Sequence, residues 1–187
     1  MKSEKGEKAK LYIRYPLSSV LIYNVSTILH FLMGGIGIAL GYSFSLWAGY
    51  TFGILYVVLS FVELYVVMPL TVCPNCLYYQ AKDSLCVSGL NVLSKRIAKE
   101  GDQKVFHQRA AGLFCANNLY IASLVVPILA MIPALIINFS AALLLIFLAV
   151  AALLLFRFFI IFPKIACLHC SAKYKCPQAE AMGVRNQ

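Results

Sequence analysis

Seven cysteines are the residues of this 187-residue sequence whose type and spacing best suit chemistry. They are Cys73, Cys76, Cys86, Cys115, Cys167, Cys170 and Cys176. Four of them form two Cys-x2-Cys pairs, and each pair can direct two sulfurs at one centre while backbone N–H groups point back at them. Two such pairs supply the tetrahedral set of four sulfurs that binds zinc or iron. The sequence therefore predicts a metal centre, with all seven cysteines as candidate ligands.

The spacing leaves two arrangements of this centre open. In the first, each half of the chain holds its own site. The ligands of the first half would be Cys73, Cys76, Cys86 and Cys115, and those of the second half Cys167, Cys170 and Cys176. His169, the other half or an exogenous group would then supply a fourth ligand to the second site. In the other arrangement the two Cys-x2-Cys pairs share one centre.

Two short motifs bear on the choice of metal. Cys176-Pro177 resembles the Cys-Pro that ends a ferredoxin ligand run. The segment from Cys73 to Cys76 resembles the knuckle of a zinc ribbon, without the glycine that usually follows. Seven cysteines exceed the need of one structural zinc site, and their spacing is irregular. We therefore favour an iron–sulfur cluster over zinc, with metal-free thiols as a third alternative.

The distribution of charge predicts an integral membrane protein. The chain is 61% apolar and 12% charged, which excludes a disordered chain and a secreted disulfide scaffold. No charged residue lies between Arg14 and Glu63 or between Arg109 and Arg157. Each of these stretches can hold two membrane spans of about 20 residues. The net charge of +9 indicates membrane topology rather than nucleic-acid binding, since no aromatic-interleaved basic surface occurs.

The predicted fold is all-α, with four transmembrane helices as two tandem helical hairpins. We expect spans at 17–41, 45–68, 118–137 and 141–163. All sixteen Lys and Arg lie outside the hairpin tips, so the positive-inside rule places both termini in the cytoplasm. The cytoplasmic parts are a basic N-terminus (1–16), a cysteine-containing loop (77–117) with an amphipathic helix, and a tail (171–187). The basic face of that helix would contact anionic lipid or a protein partner.

An internal duplication relates the two hairpins, which we place at 17–76 and 118–170. Both read Pro-x3-Cys-x2-Cys, from Pro69 and Pro163, 94 residues apart. Because proline interrupts a helix, we expect both helices to end there. At the same offset Glu63 aligns with Arg157, and the two would lie at one depth in a pseudo-twofold bundle. We expect them to form an intramembrane ion pair; the alternative is that Arg157 reaches the interface and Glu63 bonds to water or a tyrosine.

The first span carries several polar side chains. Tyr23, Asn24, Thr27 and His30 are a candidate quinone site, and interhelical hydrogen bonding is the favoured alternative.

Two functions follow as hypotheses. The first is iron–sulfur electron transfer between a soluble partner on the cytoplasmic face and membrane quinone. The second is a zinc-stapled, non-catalytic membrane scaffold or assembly factor. A cytoplasmic thiol sensor and a transporter rank below these. No nucleophile triad, phosphate loop or cofactor fingerprint is present, which leaves catalysis by the chain itself open.

Overall fold

The computed structural model describes residues 9–43, 46–111 and 115–185, and the described part of the chain is helical without a β-strand. Four helices dominate it: α1 (Leu17–Gly41), α2 (Leu46–Val62), α4 (Ala116–Ile137) and α5 (Ala141–Phe156). A shorter helix, α3 (Leu90–Ile97), lies in the central loop. With the helical turns that extend α2 and α5, four helices are long and apolar enough to cross a membrane. The expected all-α membrane class is thus confirmed.

Two of the membrane helices continue past the prolines that were expected to end them. After α2 the chain turns π-helical over Glu63–Val67 and α-helical over Met68–Thr71, with Pro69 inside that turn. After α5 it is π-helical over Arg157–Cys167, with Pro163 inside. A proline ring clashes with the carbonyl four residues earlier in an α-helix, and a wider π-turn relieves that clash. Helical geometry therefore continues beyond the predicted ends at 68 and 163.

Helix α1 lies at the centre of the bundle. Half of its most apolar window is buried, against 17% for the helix that contains α5. Its contact with α2 is close because small residues line it. A Cβ on Gly53 would lie 2.6 Å from the carbonyl oxygen of Gly35, and one on Gly49 would lie 2.5 Å from that of Ala39. Glycine at positions 49 and 53 thus lets the backbones of α1 and α2 come into direct contact.

The central loop, the N-terminal segment from residue 9 and the C-terminal segment to residue 185 meet at one end of the bundle, which we call the cysteine end. Residues on either side of Tyr12 form an extended segment that crosses it. The Tyr12 amide donates to His169 O and the Tyr15 amide to Leu85 O, both at 2.9 Å. The N-terminal segment therefore joins the second Cys-x2-Cys turn to the central loop.

Helix α3 docks on the protein through Leu90, which is part of the hydrophobic core, and through two polar side chains. Asn91 and Ser94 are buried, and the Ser94 hydroxyl donates to Pro69 O at 2.7 Å. Val92 and Ile97 lie on the exposed surface instead. The predicted helix is present, but its inward face carries buried polar side chains, whereas a helix that rests on lipid presents an apolar face.

Candidate functional site

The two Cys-x2-Cys segments fold into the same local turn. The Cys76 amide donates to Cys73 O at 3.1 Å, and the Cys170 amide donates to Cys167 O at 3.2 Å. In each turn a backbone N–H near the second sulfur lowers the pKa of its thiol, that of Tyr78 for Cys76 and that of Ala172 for Cys170. An N–H directed at a sulfur favours the thiolate, which is the form that ligates metal.

Six of the seven cysteines are neighbours at the cysteine end. Cys76 is within electrostatic range of Cys86, Cys170 and Cys176. In the same way Cys73 neighbours Cys76 and Cys86. Cys167 neighbours Cys170 and Cys176. The helix extensions, the central loop and the tail thus bring together two sets of three cysteines, and we call these six residues the cysteine cluster.

All six cluster cysteines are only partly exposed to solvent, and burial has the largest effect on the pKa values of Cys76 and Cys170. The pKa of Cys76 is raised to about 12, mainly by burial and also by the neighbouring thiols Cys170 and Cys86, while the N–H of Tyr78 lowers it. Burial also raises the pKa of Cys170 to about 11. Without a metal ion beside them, the Cys76 and Cys170 thiols are therefore protonated at neutral pH. Thiols become metal ligands by losing that proton to the metal.

A buried cation lies beside the cluster. Lys173 is fully buried three residues before Cys176, and its ammonium donates to Leu168 O at 3.1 Å. It also lies 5.4 Å from the ring centroid of Tyr174. A thiolate-rich metal centre carries net negative charge, and a buried ammonium next to it reduces the cost of holding that charge in a medium of low dielectric constant.

Cys115 has a different role from the other cysteines. It is the N-cap of α4, where its sulfur accepts from the Asn118 amide at 3.4 Å and donates to Ala110 O at 3.2 Å. His169, the proposed extra ligand, has its Nδ1 at 2.8 Å from Lys10 O and its ring 4.9 Å from that of Tyr12. One ring nitrogen of His169 is thus engaged with the N-terminal segment.

The six cysteines lie near one another, but their sulfur atoms are not arranged as the coordination shell of a metal ion. Across residues 9–43, 46–111 and 115–185, no three His, Cys, Asp or Glu side chains are positioned to hold a metal ion. All six cluster cysteines are free thiols, with no disulfide between them. A metal at this end would have to draw the sulfurs together.

The expected ion pair between Glu63 and Arg157 is absent from the described structure, which corrects that prediction. The Arg157 guanidinium is fully buried and donates to the hydroxyls of Tyr120, Ser26 and Thr27. Its charge also lies 5.0 Å from the ring centroid of Tyr23. Arg157 faces α1 and α4, whereas Glu63 lines a groove between α2 and α4, so equal depth does not place the two charges on facing surfaces.

The polar residues of α1 bond within the protein, although the buried Nδ1 of His30 has no hydrogen-bond partner in the described part of the chain. The Tyr23 hydroxyl donates to that of Tyr120 at 3.2 Å, and Thr27 donates to Tyr23 O at 2.7 Å. His30 Nε2 lies 2.9 Å from Leu124 O, and Asn24 donates to Val20 O and, at 3.2 Å, to Ser88 O in the central loop. This arrangement is the hydrogen-bonding alternative rather than an open quinone site.

Sequence reasoning missed a groove that lies between α2 and α4. Its volume is about 720 Å³, and Tyr56, Ser60 and Glu63 line it from α2 at helical spacing while Ser123 lines it from α4. The Tyr56 hydroxyl donates to Ser123 O at 2.9 Å. The spacing of four and three residues between the polar groups of α2 was the available signal.

The chain matches no protein-family model, and it shows no significant similarity to a curated protein or to a solved structure.

Proposed function

We propose that this membrane protein binds a metal centre through the cysteine cluster, and that the centre is an iron–sulfur cluster. It would relay electrons between a soluble partner and membrane quinone, with the cysteine end on the cytoplasmic face. The observation that supports this most is the meeting of two matched cysteine triads. Each triad combines a Cys-x2-Cys turn that carries an N–H donor to sulfur with one cysteine from a following segment.

The matched construction of the two halves supports a duplicated origin for this centre. Both membrane helices change from α to π geometry at the aligned positions Glu63 and Arg157, and both then reach a Cys-x2-Cys turn. We propose that the halves are repeats and that each contributes three ligands. Six thiolates exceed one tetrahedral zinc site, which needs four ligands, and this favours iron–sulfur chemistry.

A zinc staple is the second candidate, and one observation favours it. The cysteine cluster joins segments that are far apart in the chain, and the N-terminal segment crosses the same region through its bond from Tyr12 to His169. A structural metal stabilises such a junction directly. In that case the protein would act as a scaffold or assembly factor.

Metal analysis of protein extracted without oxygen in mild detergent separates these proposals. For the iron–sulfur centre we expect several irons per chain and a broad visible absorbance that bleaches with dithionite. Cys76→Ser and Cys170→Ser should each lose most of the iron and the colour. Near one zinc per chain and no colour would support the staple, and wild-type protein without either metal would overturn both.

Cys115→Ser is the matched control. It removes a thiol from the chain but not from the cysteine cluster, and serine is itself a good N-cap, so α4 keeps its first turn. This variant should keep the metal content and spectrum of the wild type. Equal loss of metal in Cys115→Ser and Cys76→Ser would contradict the proposed ligand set.

A further inference from the structure

The groove between α2 and α4 combines a long apolar surface with one carboxylate. It extends along α2 from Phe52 to the π-helical turn and along α4 from Leu119 to Ala130. At 1.5 Å per residue, this is roughly 20 Å of helix. Its volume of about 720 Å³ falls within the range of small-molecule sites. Glu63 lies toward the end of the groove nearer the cysteine cluster.

The carboxylate in this groove lacks a hydrogen-bond donor. Glu63 Oε1 is buried, and no residue in the described part of the chain bonds to it. Ionisable groups inside a membrane ordinarily find a partner, since an isolated one is costly. Two neighbouring hydroxyls in the groove are engaged elsewhere, since Tyr56 donates to Ser123 O and Ser123 donates to Tyr120 O at 2.7 Å. A ligand that supplies a donor at this end would satisfy Glu63.

The shape and lining of the groove define the rest of that ligand. The aromatic rings of Tyr56, Phe52 and Tyr42 lie along it, with aliphatic side chains between them. A flat ring that bears a hydroxyl and an extended hydrocarbon tail matches this order, with the hydroxyl at Glu63 and the tail toward Phe52. The π-helical turn that begins at Glu63 is of the kind often found at functional sites.

We propose that this groove binds an isoprenoid quinol, with a ring hydroxyl donating to Glu63. The choice of a quinol among lipid-soluble hydroxyl compounds rests on the proposed electron-transfer function. The site differs from the residues Tyr23 to His30 that the sequence pointed to, because those are occupied by partners inside the bundle. The oxidised quinone has no hydroxyl to donate, so the groove favours the reduced ligand.

Binding of a decyl-tailed benzoquinol tests this directly. Wild-type protein in detergent micelles is titrated calorimetrically with the quinol and then with the quinone, against empty micelles. We expect the quinol to bind about tenfold more tightly than the quinone, as one net hydrogen bond from the ring hydroxyl to Glu63 allows. Glu63→Gln should weaken quinol binding about tenfold and reduce the preference for the reduced form. Unchanged affinity and unchanged preference in Glu63→Gln would overturn the proposal.

Two further variants separate binding in the groove from partition into the micelle. Ala122 lines the groove from α4, and Ala122→Trp should fill it and abolish binding. Leu148 is an exposed residue of α5 outside the groove lining, and Leu148→Trp should bind as the wild type does. Equal behaviour of the two tryptophan variants would show non-specific uptake and refute the site.

The same titration distinguishes failure of this site from failure of the proposed metal centre. Cys76→Ser and Cys170→Ser lie outside the groove, so protein without metal should still bind the quinol. A metal-loaded wild type that binds no quinol would overturn the groove proposal alone. Quinol binding by a wild type that contains no metal would overturn the metal proposal and leave the groove in place.

Discussion

Arg157 and Tyr120 form a hydrogen bond inside the membrane bundle, although they lie 37 residues apart in the chain. The same guanidinium also donates to Ser26 and Thr27 of α1. One buried side chain from the helix that continues α5 therefore joins α1 to α4. No carboxylate is among its bonded partners in the described structure, so neutral hydroxyls and aromatic rings hold this charge.

We expect Arg157→Lys to lower the free energy of unfolding by about 2 kcal/mol. A lysine ammonium is a compact donor, and it cannot reach Tyr120 and the two hydroxyls of α1 in the planar arrangement that guanidinium allows. Unfolding in mixed detergent micelles measures the change. Arg185→Lys is the control, since Arg185 pairs with Glu180 on the surface and both side chains are well exposed. Screening by solvent should keep its effect below about 0.5 kcal/mol. Equal losses in the two variants would show that the buried network contributes nothing.

A double-mutant cycle tests which residue Arg157 depends on. For Arg157→Met combined with Tyr120→Phe, we expect a coupling energy above about 1 kcal/mol because the two side chains share a hydrogen bond. For Arg157→Met combined with Glu63→Gln, we expect coupling below about 0.5 kcal/mol, since the two residues face different surfaces. The cycles share one variant, so each serves as the reference for the other. Strong coupling between Arg157 and Glu63 would support an ion pair between them and contradict the arrangement seen in the structure.

Tyr78→Phe should loosen the N-terminal segment at the cysteine end. The Tyr78 hydroxyl donates to Tyr12 O and accepts the Ser171 amide at 3.1 Å. Its loss leaves a partly buried donor unsatisfied at a cost of about 1.4 kcal/mol, so hydrogen exchange at the Tyr12 amide should accelerate about tenfold. Tyr50→Phe removes a hydroxyl from an exposed side chain of α2 and should leave that rate unchanged. An unchanged rate in Tyr78→Phe would mean that other contacts hold the segment.

Much of the architecture could be read from the chain because the membrane imposes strict rules on it. The four spans follow from uncharged apolar stretches, and α1 begins and ends at the expected residues, 17 and 41. The second and fourth membrane helices run beyond their predicted ends at 68 and 163 because a π-turn can accommodate proline, and no composition rule marks such a turn. The structure places Cys73, Cys76 and Cys86 near Cys167, Cys170 and Cys176, and it places Cys115 at the N-cap of α4.

Only the tertiary structure decided which residues the side chains of Glu63 and Arg157 contact. The sequence by itself determined that Glu63 and Arg157 lie in apolar helices, at matching distances from a Cys-x2-Cys pair. It did not determine which way each side chain faces. The direction of a side chain inside the bundle depends on which helices pack against its own, and α1 lies at the centre against both α4 and the helix that continues α5. This packing directs Arg157 to the hydroxyls of α1 and α4 and leaves Glu63 in the groove.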